Sequence, residues 1–195
     1  MVRHGTAKRR ATTALLVFAC VGLAAGVAWS IIGNRKTQSN SAEKTDSTSA
    51  QLGPSGLPIP RFVTLKAEKV NVRKGPSSDH PVAWVFQSKG LPVEIIAEFE
   101  TWRRVRDSEG AEGWILQNML SGRRNALIAP WRKDQFTALH YNASNQSAMV
   151  ANLAANSLGE IRSCDGTWCN VSVGGYSGYV EQSMIWGVYP GELIN

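Results

Sequence analysis

The side chains capable of chemistry in this chain are few and widely spaced. Cys164 and Cys169 bracket Asp165-Gly166-Thr167-Trp168, and Asp-Gly is a strong signal for a tight hairpin turn. Cysteines on the two facing strands would have the Cβ separation that a disulfide requires. The rival is a zinc site, but two thiolates with no neighbouring histidine supply only half its ligands, so a disulfide is expected. Glu98 and Glu100 lie two apart, which on a strand puts both carboxylates on one face. That is the pattern of an acid/base pair and equally of a solvated hairpin end. Ser41-Ala42-Glu43-Lys44 spells the Ser-x-x-Lys string of acylating serine enzymes, but it sits in polar low-complexity sequence with no helix to present the serine. His4, His80 and His140 have no metal-like spacing to another ligand. The chain is expected to be a non-enzyme, with no catalytic residue, no metal and no cofactor.

The framework that must position these groups is written twice. Thr101-Trp102, Val105, Gly113-Trp114, Gln117, Met119-Leu120 and Gly122 recur as Thr167-Trp168, Val171, Gly178-Tyr179, Gln182, Met184-Ile185 and Gly187. Self-similarity at a fixed period sets the domain count before any other argument. A period this long suits two small domains, each with its own core. What recurs is a skeleton of aromatics, valines and glycines, without an acid, base or nucleophile, and such a skeleton points to a binding module.

The formal charge of +6 is concentrated at the N-terminus, where Arg3, Lys8, Arg9 and Arg10 precede the uncharged run 11–33. The remainder from Arg61 onward is close to neutral, so the basic footprint of a nucleic-acid binder is missing. Basic residues ahead of an apolar segment hold that end in the cytoplasm and send the chain beyond it outward. Residues 1–33 read as a cleavable signal peptide, or as a signal anchor whose transmembrane helix is 11–33 and reaches into the inner membrane. Both place the rest in the periplasm, tethered or released, where a disulfide would persist. Residues 34–60 are rich in Ser, Thr, Asn, Gly and Pro and are expected to form a disordered linker.

From Arg61 the pattern becomes short β-branched and aromatic segments separated by turns: Phe62–Leu65, Val70–Arg73, Val82–Phe86, Pro92–Glu98, Trp102–Arg106 and Gly113–Ile115. This spacing predicts a small barrel over 61–124. Thr137–His140, Met149–Leu153, Glu160–Arg162, Trp168–Val173 and Gly178–Val180 predict a second over 125–195, with a C-terminal tail. Gly75 is expected to supply a positive φ in the Lys74–Ser77 turn, with Asn142 in its place in the second half. Trp131, Trp186 and Tyr189 lie in the segments leaving each barrel and are expected to seal the two together.

Val70-Asn71-Val72-Arg73-x-Gly75-Pro76-Ser77, then Gly90-x-x-Val93-Glu94-Ile95, Trp102-x-x-Val105 and Gly113-Trp114-Ile115, resemble the bacterial SH3-like (SH3b) domain. Taken with the second half, the chain from Phe62 to Glu192 is similar to exported tandem SH3b proteins of alphaproteobacterial type. The resemblance implies an all-β protein of two small SH3-like barrels in tandem after the membrane or signal helix and the linker. It also implies an envelope role, with peptidoglycan or a short peptide of an envelope protein as partner. A structural scaffold joining envelope proteins without a wall ligand is the second reading. Under the repeat, Asn71, Arg73 and Trp84 are peculiar to the first barrel, opposite Ala138, His140 and Ala151. A guanidinium beside an aromatic face suits a peptide carboxylate, and a stacked structural arginine would look the same. These three are the expected ligand-binding residues.

Overall fold

A computed structural model of the chain describes residues 51–195. The apolar segment 11–33 and the linker up to residue 50 lie outside the described residues. The first strands are β1 (Gln51–Leu52) and β2 (Pro58–Ile59), paired antiparallel. Residues 51–59 therefore form a hairpin where a disordered linker over 34–60 is expected. Gly53 and Leu57 close this hairpin through a backbone hydrogen bond of 2.8 Å. Ser55 donates from its amide and its hydroxyl to the Glu98 carboxylate, both at 2.8 Å. Local composition misleads here because the tie that orders the hairpin comes from a side chain distant in sequence.

The first barrel comprises β3 (Arg61–Leu65), β4 (Val70–Arg73), β5 (Val82–Phe86), β6 (Pro92–Phe99), β7 (Trp102–Arg106), β8 (Glu112–Leu116) and β9 (Leu120–Ser121), with a 3-10 turn at Gln117–Met119. The second comprises β10 (Asn125–Ile128), β11 (Phe136–His140), β12 (Met149–Ala154), β13 (Leu158–Asp165), β14 (Trp168–Val173), β15 (Tyr176–Glu181) and β16 (Ile185–Trp186), with a 3-10 turn at Gln182–Met184 and a final β17 (Leu193–Ile194). Hydrogen-bonded order is β5-β4-β8-β7-β6-β3-β9 in one and β12-β11-β15-β14-β13-β10-β16 in the other. Under the repeat these orders are identical. The irregularities repeat as well: register shifts fall between Val72 and Arg73 and between Ile95 and Ala97, then again between Leu139 and His140 and between Ile161 and Ser163. Bulges bend a strand and tighten its twist, which small barrels need in order to curl. Strand β10 is absent from the periodicity reading because Ala126, Leu127, Ile128 and Ala129 are all buried. A short run apolar on both faces gives no alternation.

Each barrel has a separate core, one built on Val63, Leu65, Val72, Ile95, Val105 and Ile115, the other on Ile128, Leu139, Cys169, Val171, Val180 and Ile185. The repeated glycine has a steric cause. A Cβ at Gly178 would stand 2.5 Å from the His140 carbonyl oxygen, and one at Gly113 would strike Val72. These are the places where β11 crosses β15 and β4 crosses β8. Gly75 differs from the sequence expectation, since it is not among the residues of positive φ. Its side-chain position is filled instead by the His80 ring.

The barrels are joined through Phe62. Its ring meets Trp186 edge-on at 5.0 Å and lies 4.8 Å from Tyr189. Tyr189 donates its hydroxyl to Glu94 Oε1 at 2.8 Å, and Arg106 holds the other oxygen of that carboxylate. Burial, then the Glu94 bond, push the tyrosine hydroxyl far above its ordinary value. Trp186 and Tyr189 thus seal the junction as their positions suggest. Trp131 does not: it is 53% exposed and lines an open concavity of the second barrel.

Candidate binding site in the second barrel

The three residues singled out in the first barrel do not converge. Directly opposed residues of an antiparallel pair share a face. Val72 opposes Trp84, whereas Asn71 opposes Val85. Trp84 therefore lies on the core side, packed against the first core and edge-on to Phe86 at 6.0 Å, while Asn71 is exposed on the other side. The Arg73 guanidinium donates to the carbonyls of Ser78 at 3.0 Å and His80 at 2.6 Å. It staples the loop that follows its own strand, the structural role the sequence left open. Glu98 and Glu100 are no acid/base pair either. Glu98 is paired with Arg61 and Arg103, and Glu100 takes a φ of 47° at the hairpin corner.

Cys164 and Cys169 do meet. They are register partners on β13 and β14, with Cα atoms 4.1 Å apart, and form a disulfide. Asp165 Oδ1 accepts from the amides of Thr167 at 2.8 Å and Trp168 at 2.7 Å, which organises the turn between them. The Trp168 bond, then the Thr167 bond, hold the Asp165 carboxyl below its usual value.

That turn delivers Trp168 to a hollow of about 150 Å³ on the outer face of the second barrel. Its walls come from β11, β14, β15 and the loops at 132 and 145. Trp168 opposes Glu181 in the ladder, which sets an indole beside a carboxylate. His140 meets Trp168 edge-on at 5.6 Å, with its Nδ1 3.2 Å from the Ser147 carbonyl oxygen. A carbonyl only accepts, so Nδ1 is the donor in this contact and Nε2 is left facing the hollow's other groups. Asn145 donates to Glu181 Oε1 at 2.6 Å. Arg132 donates to Gln135 at 2.8 Å and makes a long contact to the Met184 sulfur, and it forms no ion pair among the described residues. Thr137, also lining the hollow, is buried with its hydroxyl oxygen unpartnered. A guanidinium and a carboxylate that do not neutralise each other, with an aromatic pair between them, can hold a dipolar ligand. No group of three or more metal-ligating side chains exists among the described residues.

The corresponding place in the first barrel is different. Trp102 is only 7% exposed and opposes Leu116, so neither an open indole nor a carboxylate is offered. The signal missed in the sequence is the substitution of Glu181 for Leu116 under the repeat, a charge where the framework needs none.

Two stretches, residues 66–122 and 133–187, match the bacterial SH3 domain family and together cover more than half of the chain. The chain belongs to that family, with two domains in tandem. Among curated proteins nothing matches. Among solved structures, NlpC2 from Trichomonas vaginalis is 17% identical, with 65% of this chain and 48% of that chain covered and a TM-score of 0.30. NlpC1 from the same organism is 18% identical, with 71% and 49% covered and a TM-score of 0.29. The chain spans about half the length of each.

Proposed function

We propose that this protein is a non-enzymatic binding protein of the cell envelope that recognises short peptides, those of peptidoglycan first, through the hollow of its second barrel. The observation that carries the reading is the juxtaposition of Arg132, His140, Trp168 and Glu181 around one opening. Membership of the bacterial SH3 family supports a wall or protein partner. This moves the expected site from the first barrel to the second, because the first closes over its own tryptophan. The periplasmic location rests on the charge pattern around 11–33. A phosphatase fused after Asn195 should be active, and an inactive fusion refutes export.

The deciding experiment is co-sedimentation of the full-length protein with purified sacculi. Peptides freed from the wall by an amidase should compete the protein off, whereas the free glycan strands should not occupy this hollow. Absence of sedimentation, or indifference to the peptides, rejects the reading. A scaffold is the second reading, favoured by the Phe62 junction that makes one unit of two barrels. It predicts capture of an envelope protein that sacculi and wall peptides leave undisturbed.

A further inference from the structure

On the other side of the 3-10 turn at Gln182–Met184 lies a second, larger concavity of about 530 Å³. That volume is within the roughly 300–1,000 Å³ of small-ligand clefts. Its apolar surface comes from Trp131, Ile185, Trp186, Val188 and Pro190, and its rim carries Thr167, Ser183 and Glu181. Trp131, Val188 and Pro190 fall outside the family-matched stretch 133–187, so the groove is an addition to the family barrel.

Several features show that it is built. Trp131 is 53% exposed, although Ala129 and Pro130 before it are buried. Ala129 sits at a φ of 34°, donates to the Met184 carbonyl at 2.8 Å and accepts from the Arg132 amide at 2.9 Å. A residue with a Cβ held in the left-handed region is strained, and such strain collects at ligand clamps. Here it forms the turn whose corner is Trp131. The opposite wall is fixed by Gln182, which is buried, accepts from the Gly191 amide at 2.9 Å and donates to the Glu192 carbonyl at 2.8 Å. The disulfide pins the turn carrying Thr167. Trp186 forms part of the floor while its ring is locked against Phe62 across the barrel junction.

We infer that this groove is a saccharide-binding site with Trp131 as its platform. The lining contains one carboxylate and no cation, so an acidic ligand has no counter-charge there. A purely aliphatic ligand would leave the Thr167 hydroxyl unmatched and would cover the Ser183 hydroxyl, which donates to Glu181 Oε2 at 3.4 Å, without offering it or the carboxylate a further partner. A pyranose ring answers both halves of the surface. The C–H bonds of its apolar face carry partial positive charge and cover the electron-rich face of an indole. Its equatorial hydroxyls point outward, where they donate to Glu181 and exchange hydrogen bonds with Thr167 and Ser183. The groove shares Glu181 with the neighbouring peptide hollow, whereas Trp131 and Thr167 line the groove and not the hollow.

The test is titration of the full-length protein with neutral tetrasaccharides, β-1,4-linked N-acetylglucosamine against cellotetraose and maltotetraose, followed through the indole N–H resonances of its 7 tryptophans. The Trp131 resonance is the one missing in Trp131→Phe. It should shift on addition of at least one sugar, and Trp131→Ala should weaken that sugar by about thirtyfold, the effect of removing a central aromatic from a binding groove. Thr167→Val, which keeps the side-chain shape and loses only a hydroxyl, should weaken it less. Peptide binding should be unchanged in both variants, which separates failure of this inference from failure of the peptide reading. No shift at Trp131 with any of the three sugars overturns the inference, as does equal affinity in Trp131→Ala.

Discussion

Trp168 and Glu181 stand directly opposite each other on neighbouring strands of the second barrel, and the same two places in the first hold Trp102 and Leu116. A charge in the second barrel thus stands where the first has an apolar side chain, in two ladders of the same strand order. Glu181→Leu copies the first barrel into the second. It should lower affinity for wall peptides by about tenfold or more, the worth of one charge-assisted hydrogen bond. Calorimetry with amidase-released peptides reads the loss. Stability should change by about 1 kcal/mol or less, because only exposed hydrogen bonds, from Asn145 and from Ser183, are removed.

Trp84→Ala should act on folding. The indole covers the first core and lies over Gly113. Complete burial of such a ring makes its truncation cost about 3–5 kcal/mol, and a half-buried one should fall at or just below that range. Denaturant unfolding would show the loss. Binding to sacculi per folded molecule should stay constant, and a selective loss of binding would restore this residue to a ligand site.

The disulfide should be present in protein isolated without reductant, so that alkylation labels neither Cys164 nor Cys169. Closing so short a loop is worth about 2 kcal/mol on the chain-entropy estimate. Cys164→Ser should lower stability by that order and loosen the turn that presents Trp168.

Glu98 makes the N-terminal hairpin sensitive to acid. Burial would raise its pKa, but the hydrogen bonds from Arg61 and Ser55 and the charge of Arg103 outweigh burial and bring it down to about 2. A carboxyl depressed in the folded state contributes stability above its unfolded value of 4.5, and that contribution is lost as pH falls toward 2. Glu98→Gln should therefore destabilise the protein at neutral pH and flatten its stability profile across that window. It should also expose 51–60 to proteolysis at neutral pH. A profile unchanged by the substitution would exclude this anchor.

The duplicated ladder was legible because paired aromatics and glycines survive where strands cross, as at Gly113 and Gly178. The hairpin at 51–59 was not, because its anchor Glu98 lies far along the chain and its own composition is that of a linker. Nor was the separation of Asn71 from Trp84. Which residues oppose one another across a hairpin depends on the length of its loop and on the bulge at Val72 and Arg73, and neither can be counted from alternation alone. Arg73 has no arginine counterpart under the repeat, but the partners of a guanidinium include backbone carbonyls, which every sequence contains.

The contact at Phe62 also determines how the two barrels are paired. It joins the opening strand of the first barrel to the closing segment of the second. In the ladder register, the place of Phe62 is taken in the second barrel by Asn125, and the place of Trp186 in the first by Ser121. Asn125 donates instead to the Gly90 carbonyl at 2.8 Å, back across the same seam. The aromatic socket and the aromatic plug are therefore each present in only one of the two barrels. Contacts that run head to tail can extend without limit when the rotation between copies fails to close. Here the aromatic residues of the seam belong to one side each, so the contact specifies this one pairing and is not a repeating interface.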